Sequence, residues 1–314
     1  MEKNKKTKRI LFNIIKAVVG LYLFYIITGS PVMLYIMLNT GHNYDSSNEA
    51  VAKQLMELHG YDVSEYISSY SVEEVVLTSS MEDSHKIYAY LTYADASENK
   101  DAPTVIMCHG VNSSHVSLYP VSEVFLKKGY NVLTYDQRSF GQSDCRYVTF
   151  GYFESNDLLD CLNYVNGNVS KDNKIGVWGQ SMGGATVENA MDEEAFVNSV
   201  DFCILDCPLG AMSEVSHAGP VQNCFASMLC KLTMKFSFSQ QSPYKQIENN
   251  HLPVLIITAN QDKVIPSKSI EKINESLGKC LYMNYSKDAK HANVYFADPD
   301  GYSEMVDIFV GQVE

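Results

Sequence analysis

Residues 174–184 read KIGVWGQSMGG, a short apolar run that passes directly into the pattern G-x-S-x-G. We predict a strand at Lys174–Trp178, a sharp turn at Ser181 and then a helix, which is the context that gives this pattern chemical meaning. Gly179 and Gly183 leave space where a Cβ atom would collide with the strand or the helix, so the Ser181 hydroxyl can stay exposed on a strained turn. The sequence therefore offers Ser181 as a candidate nucleophile.

A serine hydroxyl is a weak nucleophile at neutral pH and needs a base beside it. His291 is the only histidine beyond Asp262, and it follows the last predicted strand, which ends at Tyr285. Asp262 lies in the loop after the predicted strand Val254–Thr258, where a carboxylate can accept the other imidazole N–H. Asp206, at the end of the preceding predicted strand, is the competing acid. We favour Asp262 because the acid must lie beside the base.

Acyl transfer also needs hydrogen-bond donors for the oxyanion of the tetrahedral intermediate. We expect the Met182 amide, at the start of the predicted helix, to be one donor. The other follows the predicted strand Thr104–Cys108, where Gly110 permits a tight turn that aims the Val111 amide inward. His109 precedes the candidate nucleophile in the chain, so we expect it to support this loop rather than to act as a second base.

The body of the chain alternates short runs rich in Val, Ile, Leu and Tyr with segments of helical period, which favours an α/β sheet with helices on both faces. The first two runs lack a helix between them and should form a hairpin, whereas long crossovers make the rest mostly parallel. We place this domain at residues 71–314. Eight strands are predicted, near Glu74–Thr78, Lys86–Tyr93, Thr104–Cys108, Asn131–Tyr135, Lys174–Trp178, Phe202–Leu205, Val254–Thr258 and Cys280–Tyr285.

Residues 209–250 interrupt this alternation, because they are too long for a simple crossover and are rich in Met and Phe. One interpretation is an ordinary crossover helix packed on the sheet. The other is a small helical cap whose Met and Phe side chains roof an apolar pocket at the carboxyl edge of the sheet. The sequence leaves both interpretations open.

These motifs together resemble the α/β-hydrolase superfamily, with the likeness covering about residues 70 to 312. The segment Asp136–Ser143 (DQRSFGQS) is similar to the D-x-R-G-x-G-x-S loop of bacterial members, with Ser139 in place of the first glycine of that loop. The likeness is closest to membrane-anchored bacterial serine hydrolases described as lysophospholipase-like or S33-aminopeptidase-like. The chain has no HGGG run and carries Ser rather than Asp at the turn, which disfavours the hormone-sensitive-lipase branch and dehalogenase chemistry.

Residues 17–38 contain no Asp, Glu, Lys, Arg or His. At a rise of about 1.5 Å per residue such a helix is roughly 33 Å long, enough to span a bilayer core of about 30 Å. Residues 1–16 carry six Lys or Arg side chains against one Glu, so we expect a cytoplasmic basic flank, a membrane anchor and an extracytoplasmic catalytic domain. A cleaved export signal, releasing a secreted protein, is the alternative. Residues 39–70 are interpreted as a helical connector.

The 314 residues are 46% apolar with a formal net charge of -13, which fits one large folded domain plus an appendage. The acidic excess outside the basic flank argues against nucleic acid as a partner. Eight cysteines form no CxxC pair and are too scattered for a disulfide framework or a zinc site. Cys224 and Cys230 could pair if the outside is oxidising.

We therefore expect a membrane-tethered serine hydrolase that cleaves carboxylic esters of acyl or lipid-like type. His291 would deprotonate Ser181, Asp262 would hold the imidazole, and water would release the acyl-enzyme. This mechanism runs on side chains and amides, so no metal or organic cofactor is implied. Amide or peptide hydrolysis and acyl transfer to another acceptor are the alternatives. A binding module without turnover is disfavoured because every catalytic role has a candidate residue.

Overall fold

The computed structural model describes residues 2–38, 53–54, 56–145, 147–171, 173–216, 219–278, 281–285 and 288–313. In these ranges the chain forms one sheet of eight strands in the order β1-β2-β4-β3-β5-β6-β7-β8. The strands are β1 (Val72–Thr78), β2 (Lys86–Thr92), β3 (Thr104–Cys108), β4 (Asn131–Tyr135), β5 (Ile175–Gln180), β6 (Phe202–Asp206), β7 (Val254–Ala259) and β8 (Leu281–Tyr285).

The strand directions confirm the predicted hairpin followed by parallel strands. β1 and β2 pair antiparallel, and the neighbouring pairs from β4 to β8 are parallel. β2 also pairs antiparallel with β4, an arrangement that the sequence analysis did not specify. The parallel register matters for function, since the carboxyl ends of β3, β5 and β7 reach the same edge of the sheet.

Helices cover both faces of the sheet, which is why its central strands read as continuous apolar runs. Every residue of β3 and β4 is buried. One face packs on helices that contribute Leu158, Val187 and Ile273, and the other on helices that contribute Phe125 and Val306. The helices are α1 (Glu2–Leu38), α2 (Val63–Ser69), α3 (Tyr119–Leu126), α4 (Glu154–Asn168), α5 (Met182–Ala190), α6 (Glu194–Ser199), α7 (Met212–Val215), α8 (Pro220–Met234), α9 (Phe238–Gln241), α10 (Ser267–Leu277), α11 (Val294–Ala297) and α12 (Pro299–Val313).

The N-terminal helix α1 is continuous from Glu2 to Leu38. Within it, Ile10–Gly29 is apolar enough to cross a membrane, with a mean hydropathy of 2.2. It is the one such helix in the part of the chain that the structure describes. Residues 39–52 and 55 of the connector predicted at 39–70 lie outside the described residues, while α2 accounts for its last turns.

The crossover from β6 to β7 contains the three helices α7, α8 and α9 rather than one. Ala226, Cys230 and Met234 form the buried stripe of α8 and pack with Phe236 and Phe238 in a small apolar cluster of their own. Cys230 is buried and Cys224 is exposed, and no disulfide joins these two cysteines, whose pairing the sequence left open.

Candidate active site

Ser181 stands between β5 and α5, at the carboxyl edge of the sheet. Its backbone has φ 55° and ψ −114°, a strained conformation for a residue with a side chain. Two hydrogen bonds hold the turn, from the Ser181 amide to the Asp206 carbonyl at 3.0 Å and from the Leu209 amide to the Ser181 carbonyl at 2.9 Å. The strand therefore ends in a sharp turn that presents the serine hydroxyl, as the sequence predicts.

The two glycines that flank Ser181 are required by close backbone contacts. A Cβ atom on Gly179 would lie 2.3 Å from the Gly183 carbonyl oxygen, and one on Gly183 would lie 2.1 Å from the Cys108 carbonyl oxygen. Neither contact can be relieved by moving a side chain, because the blocking atoms belong to the backbone. The pattern G-x-S-x-G thus allows α5 to start against the ends of β3 and β5.

His291 and Asp262 meet Ser181 although they are far apart in sequence. The His291 Nε2 atom lies 2.9 Å from the Ser181 Oγ atom, and the His291 Nδ1 atom lies 2.7 Å from Asp262 Oδ2. The other carboxylate oxygen of Asp262 accepts hydrogen bonds from the amides of Val264 and Ile265 at 2.8 and 2.9 Å. These contacts fix the carboxylate, which in turn fixes the imidazole ring.

The electrostatic environment keeps Asp262 ionised. Burial opposes the charge, but the hydrogen bonds from His291 and from the amides of Ile265 and Val264 outweigh it, so the pKa of Asp262 lies below its ordinary value. An ionised carboxylate at Nδ1 requires the proton on that nitrogen. The Nε2 atom is then free to accept the serine proton.

Asp206 occupies a different environment from Asp262. Its Oδ2 atom accepts a hydrogen bond from the Tyr302 hydroxyl at 3.0 Å, and Tyr302 in turn accepts one from the Trp178 indole at 3.0 Å. Burial raises the pKa of Asp206 to about 6. The structure thus places Asp262, and not Asp206, against the imidazole of His291.

The loop after β3 is organised by His109, which is fully buried. Its Nδ1 atom donates to the Gly110 carbonyl at 2.6 Å, and its Nε2 atom accepts from the Gln137 amide at 3.0 Å. Burial lowers the pKa of His109 to about 4, so the ring is neutral at physiological pH. Both ring nitrogens serve the loop.

One detail of this loop differs from the prediction. The backbone of Gly110 is not left-handed, and the left-handed residue is Asn112, with φ 56°. Gly110 instead lies directly against the nucleophile, since a Cβ atom there would be 3.4 Å from the Cβ atom of Ser181. Asn112 therefore makes the turn, and Gly110 provides a close approach.

The Met182 and Val111 amides are the two predicted donors to an oxyanion. Met182 is the first residue of α5, where backbone N–H groups have no partner within the helix. Val111 lines the cavity that contains Ser181 and His291. In the described ranges, neither amide donates to a turn or loop carbonyl.

The sequence analysis did not identify Gln137 as the link between the two halves of the site. Its side-chain amide donates to the His109 carbonyl, and its Oε1 atom accepts from the Thr186 hydroxyl at 2.7 Å. It thereby ties the loop after β3 to the helix after Ser181. The available signal was its position in the DQRSFGQS segment, where Ser139 takes the left-handed conformation with φ 66°.

Ser181 and His291 open into a cavity of about 640 Å³. Its walls come from the loop after β3, from α11 and from the connector near Met56. No residue from 209–250 lines it among the described residues, so the cavity gives no support to the interpretation of that segment as a Met and Phe roof. Its lining residues are Met56, His59, Gly110, Val111, Asn112, Ser113, Ser117, Val121, Trp178, Gln180, Ser181, Val264, Lys290, His291, Ala292, Asn293, Tyr295 and Phe296.

Two groups of side chains have the spacing of metal ligands. The first group is Cys207 with Asp262 and His291. Burial raises the pKa of the Cys207 thiol well above its ordinary value. Asp262 and His291 are hydrogen-bonded to each other. The second group is His85 with Asp83 and Cys145. The ring of His85 lies between two carboxylates, with its Nδ1 atom 2.9 Å from Asp83. Both ring nitrogens of His291 have hydrogen-bond partners, and the Nε2 atom of His85 lies 3.2 Å from Asp157 Oδ1.

Comparisons with known proteins bear on the fold of this chain. Residues 99–251 match the family model described as serine aminopeptidase, S33. The uncharacterized protein YqkD of Bacillus subtilis (strain 168) is 29% identical over 222 residues, covering 67% of this chain and 72% of that protein. The thiohydrolase aneE of Aspergillus aculeatus is 32% identical over 113 residues, 35% of each chain.

Solved structures share the architecture at lower identity. The Pyrococcus furiosus esterase Pf2001 superposes with a TM-score of 0.63 at 23% identity, covering 78% of this chain and 93% of that one. Est1E from Butyrivibrio proteoclasticus, solved with ferulic acid bound, has a TM-score of 0.57 at 17% identity, covering 76% of this chain and 98% of that one.

Proposed function

Because this chain has the α/β-hydrolase fold, we propose that it is a serine hydrolase that cleaves carboxylic esters. The observation that carries the proposal is the line of hydrogen bonds from the Ser181 Oγ atom through the His291 ring to Asp262, at 2.9 and 2.7 Å. A serine, an imidazole and a carboxylate in this order form a nucleophile, its base and the group that orients the base.

The proposed reaction has two halves. In the first, the Ser181 oxygen attacks the ester carbonyl carbon while His291 Nε2 takes the serine proton. The Met182 and Val111 amides stabilise the negative oxygen of the tetrahedral intermediate, each contributing roughly a hundred- to a thousand-fold in rate. The intermediate collapses when His291 returns the proton to the leaving alkoxide, which departs as an alcohol. In the second half, water attacks the carbonyl carbon of the acyl-enzyme while His291 takes a proton from the water. His291 returns this proton to the Ser181 oxygen as the carboxylic acid leaves, which restores the free enzyme.

The cavity favours esters over N-terminal peptide bonds. An aminopeptidase must bind the ammonium group at the start of its substrate, for which a carboxylate is the usual partner. Among the described residues no Asp or Glu lines the cavity, whereas Lys290 and His59 do. Its walls carry aliphatic and aromatic side chains, including Val121, Trp178 and Phe296. Such walls suit an uncharged acyl group.

The N-terminal helix supports a membrane location. We propose that Ile10–Gly29 crosses the membrane and anchors the chain, with its basic flank in the cytoplasm and the hydrolase body outside. The measurement is the N-terminal sequence of the protein recovered from membranes. An intact basic flank supports the anchor, and a new N-terminus beyond residue 38 indicates a cleaved export signal instead.

A substrate screen tests the reaction. The purified full-length protein in detergent is assayed with p-nitrophenyl esters of graded acyl length and, in parallel, with aminoacyl p-nitroanilides. We expect turnover of esters and little of anilides, with ester turnover lost in Ser181→Ala. Turnover of anilides alone would contradict the ester proposal and favour the aminopeptidase alternative.

A further inference from the structure

The helix α8, Pro220–Met234, has apolar residues on two opposite sides. Its buried side carries Ala226, Cys230 and Met234. At about 100° per residue, the opposite side carries Val221, Cys224, Met228 and Leu232 within an arc of roughly 80°. We call these four residues the outer stripe. A surface helix normally places polar residues opposite its core face, so the outer stripe needs a separate explanation.

The outer stripe is exposed over its length. Val221 is 54% exposed, Met228 48% and Leu232 74%. Cys224 is exposed as well. Single apolar residues on a surface are common, but four aligned ones mark a contact with something apolar. No residue of this helix lines the cavity at Ser181.

The neighbour of this helix indicates what that contact is. The helix α8 packs against α1, which contains the apolar stretch Ile10–Gly29. Among the side chains described on α1, at residues 10–29, Ile26 is the buried one, at 5% exposure. Ile26 lies close to the C-terminal end of the apolar stretch. We infer that the two helices meet at this end of the stretch, because it is where a described side chain of α1 is buried.

From these observations we propose that α8 lies on the outer surface of the bilayer with the outer stripe inserted among the lipids. The proposal rests on the membrane anchor put forward above. An anchor that crosses the bilayer brings its own end, and any helix packed there, to the boundary between headgroups and acyl chains. Lys231 and Lys235, both exposed beside the stripe, suit the phosphate groups of that boundary.

A fluorescence experiment tests this placement in the full-length chain. Cys145→Ser and Cys280→Ser leave Cys224 as the exposed thiol among the described residues, since the other cysteines there are buried. Cys224 is labelled with bimane, and the protein is reconstituted into vesicles of phosphatidylcholine and phosphatidylglycerol. Some of these lipids carry a nitroxide near the headgroup end of the acyl chain. We expect these lipids to quench the bimane and aqueous iodide to quench it weakly.

The matched control carries the probe elsewhere. Ala96→Cys, combined with Cys224→Ser, places the label in the exposed loop between β2 and β3, at the amino edge of the parallel strands. We expect iodide, and not lipid nitroxide, to quench this label.

The double variant Met228→Asp with Leu232→Asp should keep the fold and the activity on a small soluble ester, because both side chains are exposed. It should lose the lipid quenching at Cys224.

The outcomes separate the two proposals. A chain that alkaline carbonate releases from the vesicles overturns the anchor, and the docking with it. A chain that stays in the membrane while its Cys224 label responds to iodide and not to lipid nitroxide overturns the docking alone. The Cys224 label can also be shielded from iodide to a degree that rises with protein density and does not depend on lipid nitroxide. That result assigns the outer stripe to a contact with a second copy of the chain and overturns the docking on lipid.

Discussion

Replacing Asp262 by Asn tests which carboxylate serves the base. The Asp262 Oδ1 atom accepts from the amides of Val264 and Ile265, so an asparagine in its place keeps its oxygen there and turns its amide nitrogen towards His291. That nitrogen donates to Nδ1 and forces the imidazole proton onto Nε2, the atom that must accept the Ser181 proton.

The size of the effect follows from the lost charge. Two unit charges about 4 Å apart interact by about 4 kcal/mol at an effective dielectric constant near 20, and that energy no longer stabilises the imidazolium formed in the transition state. At about 1.36 kcal/mol per decade this is roughly a thousand-fold in rate. The unfavourable tautomer adds about another tenfold, so we expect kcat/KM for Asp262→Asn to fall about 10⁴-fold.

Asp206→Asn is the matched control, because it removes the other buried carboxyl at this edge while keeping an acceptor for the Tyr302 hydroxyl. We expect a loss of at most about tenfold, the cost of one weakened hydrogen bond. The assay is the steady-state hydrolysis of a p-nitrophenyl ester, with circular dichroism to show that both variants are folded. A larger loss in Asp206→Asn than in Asp262→Asn would refute the assignment of the acid.

Four further substitutions test the backbone and the core, each by urea denaturation or thermal unfolding. Ser139 has φ 66° and a buried hydroxyl without a partner among the described residues, so Ser139→Gly should stabilise the protein by about 1 kcal/mol and raise Tm by about 2 to 4 °C. An unchanged or lower Tm would contradict strain at this residue. Gly183→Ala should destabilise by about 2 kcal/mol or more, because its Cβ atom would meet the Cys108 carbonyl oxygen at 2.1 Å. Gly311→Ala, where nothing lies within 4 Å, should instead stabilise slightly. Burial raises the pKa of Glu188 well above its ordinary value. The folded state therefore holds this proton more tightly than the unfolded state. The contribution of protonated Glu188 to the free energy of unfolding is therefore complete below the ordinary pKa of glutamate. It is lost as the pH rises towards the pKa that Glu188 has in the folded state. In Glu188→Gln we expect the urea midpoint to fall less as the pH rises, because glutamine does not titrate. A variant with the same pH dependence as the wild type would contradict this account of Glu188.

The sequence predicts the sheet well because buried parallel strands leave a continuous apolar run bounded by turn residues. The strands at Thr104–Cys108 and Asn131–Tyr135 have the predicted limits, and β5 extends two residues further, to Gln180. The pairing of β2 with β4 could not be predicted, since two strands separated by a third along the chain carry no local signal of their partnership.

The substrate cavity shows where sequence reasoning stops. Its walls combine Met56 with Phe296. Met56 precedes the first strand in the sequence, and Phe296 follows the last one. The helical spacing of Phe225, Met228 and Leu232 is equally compatible with a roof over the cavity and with a surface stripe. Periodicity gives the direction of a side chain around its helix, but the partner on that side is decided by tertiary packing.

The central claim is that the Ser181 oxygen is the nucleophile, activated by His291. Mass spectrometry of the protein after treatment with a fluorophosphonate tests it most directly, because this reagent bonds covalently to an activated serine and leaves ordinary hydroxyls unmodified. We predict one adduct, on the peptide that contains Ser181, absent in Ser181→Ala and strongly reduced in His291→Ala. An adduct that persists in Ser181→Ala, or a peptide at Ser181 that stays unmodified while the protein hydrolyses esters, would contradict the claim.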